Sequence, residues 1–286
     1  MPDVKEPTNY EDQIKILQKH GCHIEDEERC ARQLSYIPYY RLTAYFLPFK
    51  TEDGTYQSGT TFEKVYRIYE FDRKLRNTLF SAIEEIEIYL RSQFSYFYAF
   101  KYGSLGYMDA SNYNAKHDEE KFSKNLEREI NSNSKVLFVR HHQEVYNGQF
   151  PIWVALELFS FGMLSCFYND WIMADKKYIS QMLYKTTPKN LSSWLRCCTD
   201  LRNICAHYGR LYYRIFSAVP AGINIREAQR RRLWGAVLTV RELYPFSDKW
   251  NKEIVPRLAA LLEEYSQSID LFHMAFPTDW EEQLMK

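Results

Sequence analysis

The stretch from Phe62 to Tyr102 contains neither glycine nor proline, and its apolar residues Phe71, Leu75, Leu79, Ile83, Ile86, Leu90, Phe94 and Phe97 recur at intervals of three and four. That spacing gathers them on one face of a helix, whereas a strand would scatter them over both faces. The segment reads as one long helix, or two nearly collinear ones, closed at Gly103. Unbroken, it would span on the order of 60 Å at 1.5 Å per residue, enough to form the spine of a domain.

The remaining segments also read at a helical period. Residues 9–19 form a short amphipathic helix ending at Gly21, and a second runs from about Glu25 to Tyr36, before Pro38. The aromatic stretch Ile37–Phe49, bracketed by prolines, packs as a short helix or an extended connector, and Gly54 and Gly59 turn the chain. Residues 104–120 read as a loop and 121–147 as polar helix. Phe150–Tyr168 (FPIWVALELFSFGMLSCFY) reads as one buried helix with Pro151 as its first residue. Further helices are expected over 191–209, 225–244 and 250–267. No strand alternation and no internal repeat is visible, so the expected fold is all-α, a helical bundle with a long spine helix. Residues 1–60 read as an N-terminal helical and aromatic extension, and 61–286 as the bundle with basic helices at its C-terminal end.

Composition removes several alternatives. Lys+Arg 37 against Asp+Glu 37 gives zero formal charge, so any affinity for a polyanion must come from a local patch. Glu157, Gly162 and two serines inside Phe150–Tyr168 argue for burial in protein rather than in a bilayer. The acidic start, with Asp3, Glu6, Glu11 and Asp12, gives no secretory signal or anchor, so a cytoplasmic location is expected. The six cysteines include no Cys-x-x-Cys pair and read as reduced thiols. His20, Cys22, His23 and Cys30 lack a zinc spacing, so neither a metal nor a cofactor is expected.

The segment Leu191–Arg214, LSSWLRCCTDLRNICAHYGRLYYR, is where chemistry concentrates. At a helical step Trp194, Cys198, Leu201, Cys205 and Tyr208 form one core-facing stripe. Arg196, Asp200, Asn203 and His207 fall together on the opposite, polar face, and Arg202 lies at its margin. Read without further information, a histidine on such a face is a solvated residue.

Arg202-Asn203-Ile204-Cys205-Ala206-His207 resembles the Arg-Asn-x-x-x-His signature of the HEPN ribonuclease superfamily. Other blocks resemble its Abi-like branch (abortive infection, AbiD/AbiF-type). They include Tyr39-Tyr40-Arg41-Leu42 with Tyr45, Tyr69-Glu70-Phe71-Asp72-Arg73-Lys74-Leu75-Arg76, Ile86-Glu87 with Arg91, Pro151-Ile152-Trp153-Val154, Ser160-Phe161-Gly162 and Ser193-Trp194-Leu195. Tyr212-Tyr213 stands where that branch usually carries Trp-Asn.

The resemblance implies a HEPN-like bundle and a metal-independent endoribonuclease in which the ribose 2′-hydroxyl attacks the adjacent phosphorus. His207 would move protons, Arg202 would stabilise phosphate charge, and Asn203 would hold the imidazole or the scissile phosphate. Asp200 and Glu87 would support them. One Arg/His motif per chain implies a homodimer in which two motifs build one cleft. The alternative is a binding module that holds a structured small noncoding RNA in the same cleft without cutting it.

From Leu201 to Arg257 there are eleven Lys/Arg against four acids. Arg196, Arg210, Arg214, Arg230, Arg231 and Arg232 are candidate phosphate contacts, and Tyr212 and Tyr213 candidate platforms for unpaired bases. On the spine, Glu87 is spaced to pair with Arg91, or to reach an arginine or His207 across the bundle.

Overall fold

The computed structural model describes residues 6–286. It is all-α: among the described residues only isolated bridges interrupt the helices, and no strand forms. No described helix is long and apolar enough to cross a membrane.

The chain opens with a helical hairpin, α1 (Tyr10–Lys19) and α2 (Glu27–Tyr36). Each is started by a short polar side chain: Asn9 Oδ1 accepts from Asp12 N at 2.8 Å and Asp26 Oδ1 from Arg29 N at 2.8 Å, satisfying amides that have no partner within the helix. The thiols of Cys22, in the connection between the two helices, and Cys30, on α2, are pushed up to about 12 by burial. After Pro38 the aromatic stretch makes one helical turn, α3 (Tyr39–Thr43).

The spine is one unbroken helix, α4 (Phe62–Tyr102), 41 residues long. Thr61 caps its start through Lys64 N at 3.1 Å, and Gly103, at φ +81, ends it in a conformation that suits glycine. Its core face carries Ile68, Phe71, Leu75, Leu79, Ile83, Ile86, Leu90 and Phe94, each 1% exposed or less.

Beyond the spine the expected helices break into shorter ones. Residues 121–147 form two, α5 (Glu119–Ser132) and α6 (Leu137–Val145). The single buried helix expected over Phe150–Tyr168 is α7 (Ile152–Ala155), a 3-10 turn at Leu156–Leu158, and α8 (Phe161–Asp170). Ser160 causes the break: its hydroxyl accepts from Met163 N at 3.3 Å, starting a fresh N-terminus. The break also frees the Phe159 carbonyl, which accepts from Arg91 Nη2 at 2.7 Å. Pro151 stands one position earlier than expected, as the cap before α7 rather than its first residue.

Next comes α9 (Met173–Tyr184), which the apolar pattern does not reveal. Two of its three buried residues are polar, Asp175 and Ser180, and Asp175 is held by Lys101 and by Tyr102 Oη at 2.6 Å. α10 (Pro188–Ala206) starts three residues before Leu191, with Thr187 as cap and Pro188 as its first residue. It ends three residues before Gly209.

The 225–244 expectation resolves into α11 (Glu227–Arg230) and α12 (Leu233–Leu243). The 250–267 expectation becomes α13 (Ser247–Lys249), a π-helical turn over Trp250–Ile254, and α14 (Val255–Glu264), and the chain closes with α15 (Trp280–Leu284). α4 packs against α7, α10, α12 and α14, while α10 also touches α8, α9 and α12. One continuous core includes residues from Ile14 to Leu284, and Leu201 and Cys205 anchor the C-terminal end of α10 in it.

Candidate functional site at the end of the tenth helix

α10 ends in the two hydrogen bonds of a Schellman motif: Gly209 N donates to Ile204 O at 2.7 Å and Tyr208 N to Cys205 O at 3.1 Å. The motif needs one residue in the left-handed region, and here it is Tyr208, at φ +58. Gly209 follows, where a Cβ would lie 2.9 Å from Ile204 Cγ2 and 3.2 Å from Ile204 O. His207 is therefore the cap residue, at φ −95 and ψ 18, and not an interior helical residue. Because the backbone leaves the helix there, Tyr208 leaves the apolar stripe expected for it and is 68% exposed. An L-residue in this conformation is strained by roughly 1–2 kcal/mol. Tyr208→Gly is accordingly expected to stabilise the fold by up to about 1 kcal/mol, read as a raised denaturant midpoint.

A buried carboxylate holds the turn that follows. Asp72, fully buried on α4, accepts from Tyr212 N at 2.7 Å and Leu211 N at 3.0 Å through Oδ1, and from Tyr45 Oη at 2.7 Å and Arg76 Nη1 through Oδ2. Burial pushes its pKa up, while the Arg76 guanidinium, the Tyr45 hydroxyl and the two amides pull it down. Arg76 Nη1 also donates to Gly209 O at 3.2 Å, Arg41 Nη1 to Tyr208 O at 2.6 Å, and Arg210 to Ala44 O. Three arginines and one aspartate thus tie residues 208–212 to α3, α4 and the segment between them.

Arg41, Tyr45, Asp72 and Arg76 lie inside the family blocks, where no role was assigned to them, whereas Arg210 was expected on phosphate. The available signal was two charges four apart, Asp72 and Arg76, in the row of α4 that holds Ile68 and Leu79. Charges in a buried row require partners.

His207 is exposed, and among the described residues its side chain makes no hydrogen bond. It shares a cleft of about 350 Å³ with Asp200, Asn203, Arg214 and Ser217. Asp200 Oδ2 accepts from Ser217 Oγ at 2.9 Å, and the Arg214 guanidinium lies 6.0 Å over the Phe216 ring.

Arg202 does not line this cleft. It turns toward α4, with its guanidinium 5.8 Å over Phe80 and Nε 3.8 Å from Glu87 Oε2, an ion pair too long for a hydrogen bond. Its Nη1 reaches Asn203 Oδ1 at 3.5 Å, which is its connection to the histidine side. Glu87 meets both arginines available to it, Arg91 and Arg202, and does not contact His207.

The structure brings Asp200, Asn203, His207 and Arg214 together and leaves other candidates elsewhere. Arg196 is exposed on α10 outside the cleft. Tyr212 is 1% exposed, with its amide on Asp72 and its hydroxyl accepting from Asp270 N at 3.0 Å, so it offers no face to a base. Tyr213 is half-buried, covered by the Arg232 guanidinium at 5.5 Å and met edge-on by His273 at 5.0 Å. Arg210 is committed to Ala44, Arg230 pairs with Glu227 at 3.4 Å, and Arg231 is exposed.

A family model described as Abi-like protein matches residues 32–213, more than half of the chain. The chain belongs to the Abi-like protein family. The match encloses every residue of the Asp72 cradle, both arginines on Glu87 and the whole of α10, and it stops before Arg230, Arg231 and Arg232. No curated protein and no solved structure matches the chain.

Proposed function

We propose that this Abi-like protein is a metal-independent, HEPN-type endoribonuclease of an abortive-infection or toxin–antitoxin system. The observation that carries the reading is His207: an imidazole with no intramolecular partner among the described residues, held on a fixed cap beside Asn203 and Arg214. A histidine engaged in structure would be buried or hydrogen-bonded; this one is presented. Histidine changes charge near neutral pH, which suits it to move the protons of a phosphodiester transfer.

In that reaction the 2′-oxygen forms a bond to phosphorus, the bond from phosphorus to the 5′-oxygen breaks, and the leaving oxygen takes up a proton. His207 transfers protons, and guanidinium groups stabilise charge on the non-bridging oxygens. Asn203, between Arg202 and the histidine cleft, orients the phosphate or the imidazole.

Arg202 and His207 face different sides of the α10 end, so a single chain does not aim both at one phosphorus. A homodimer with the α10 ends near a two-fold axis sets the Arg202 of one protomer toward the His207 of its partner, an isologous arrangement. Light scattering of the purified protein should give twice the 34.3 kDa chain mass. A monomer that cleaves RNA would remove the composite site.

The direct test is incubation of the protein with RNA in EDTA. Cleavage is expected to persist, to leave a 2′,3′-cyclic phosphate and to stop when the scissile ribose is 2′-deoxy. Dependence on a divalent ion, or cutting of the deoxy substrate, would overturn the reading. RNA bound tightly but never cut would favour the holding module instead.

A further inference from the structure

On the other side of the α10 end from His207, between α3, α4 and the strained cap, lies a cleft of about 690 Å³. Tyr69, Arg73, Asn77 and Phe80 line it from α4, at spacings of four, four and three, so they form one row along the helix. Arg41 and Tyr208 line the facing side. Among the described residues no carboxylate lines the cleft, and the Arg76 charge at its base is already met by Asp72. Arg73 is exposed and makes no ion pair or hydrogen bond among the described residues.

Two further features connect this cleft to the site. The Arg202 guanidinium sits 5.8 Å over Phe80, so the cleft begins where the motif arginine ends. The Tyr208 ring is presented there from a left-handed backbone position that glycine would occupy without strain. Strain held in place by surrounding contacts, here Arg41 on the Tyr208 carbonyl, is a feature of ligand-contacting turns.

We propose that this cleft seats one unpaired nucleotide of the RNA next to the scissile bond, its phosphate against Arg73 and its base stacked on Tyr208. The assignment to RNA rests on the ribonuclease reading. The pairing of cation and ring selects the ligand chemistry: a planar guanidinium matches a phosphate, and an exposed ring matches the face of any base. Asn77, one turn from Arg73 in the same row of α4, supplies a donor and an acceptor for a base edge. The bound nucleotide must be unpaired, because a base inside a duplex cannot turn its face to a protein ring.

The test measures binding without cleavage, by fluorescence anisotropy of the full chain with a single-stranded 2′-O-methyl oligonucleotide. Tyr208→Gly is expected to weaken binding roughly 5- to 150-fold, the range for loss of one stacking ring, with an unchanged or raised melting temperature. Arg73→Gln, on an exposed surface, is expected to weaken binding and to reduce the salt slope by about 1. Affinities within twofold of the unmodified protein for either variant would overturn the cleft assignment and leave the ribonuclease reading intact. Loss of binding in both variants, in a protein that cuts no RNA, would keep the cleft and remove the ribonuclease. Competition by free adenosine monophosphate at the oligonucleotide's own affinity, or equal weakening on a duplex, would overturn the single-strand assignment. So would failure of the unmodified protein to bind the oligonucleotide.

Discussion

Replacing Asp72 by alanine is expected to destabilise the fold by about 3–5 kcal/mol, read as a lowered denaturant midpoint. The magnitude follows from what the carboxylate holds. Its removal leaves the Arg76 guanidinium, 4% exposed, without its counter-charge, and leaves the buried Leu211 and Tyr212 amides without an acceptor. A double variant, Asp72→Leu with Arg76→Met, separates the two contributions. It removes the unpaired charge and fills the space, so the part of the loss due to the guanidinium is regained and the part due to the two amides persists. A loss below about 1 kcal/mol in Asp72→Ala would mean that water replaces the carboxylate, and that the turn after α10 is not held as described.

This cradle also shows what sequence reading reaches and where it stops. The spine was legible because burial along α4 is achieved by apolar residues at helical spacing, with no glycine or proline to interrupt them. α9 was not legible, since its core positions are filled by Asp175 and Ser180, whose burial depends on partners far away in sequence. For the same reason Asp72 and Arg76 carried no visible role: a charge in an apolar row is meaningful only once Tyr45, Leu211 and Tyr212 are seen around it.

At the site, helical-wheel arithmetic put Arg196, Asp200, Asn203 and His207 on one face; the last three line one cleft, two of them within α10 and the third as its cap, while Arg196 lies outside it. It failed one residue later. Tyr208 enters the left-handed region, the helical step no longer applies, and a residue assigned to the core becomes the most exposed ring at the site. Tyr212 failed in the opposite sense, since only the tertiary fold brings Asp270 to its hydroxyl.

His207→Ala is expected to lower the cleavage rate by about 10²–10⁴-fold, the range for loss of a positioned proton-transfer group, while oligonucleotide affinity stays within about twofold. The separation arises because the imidazole is presented to solvent at a cap and, among the described residues, holds nothing else in place. Arg202→Ala is expected to behave differently. Arg202 is the second cation on Glu87, beside Arg91, and the cover of Phe80, so its loss leaves Glu87 to Arg91 alone and uncovers one wall of the larger cleft. Both affinity and rate should therefore fall, and the rate should fall further than the affinity, because a guanidinium near the scissile phosphate stabilises developing charge more than ground-state charge. The measurement is single-turnover cleavage beside anisotropy, each variant checked by thermal melting. A His207→Ala protein that cuts at the unmodified rate, or an Arg202→Ala protein altered in melting alone, would show that the end of α10 is a structural corner and not the seat of catalysis.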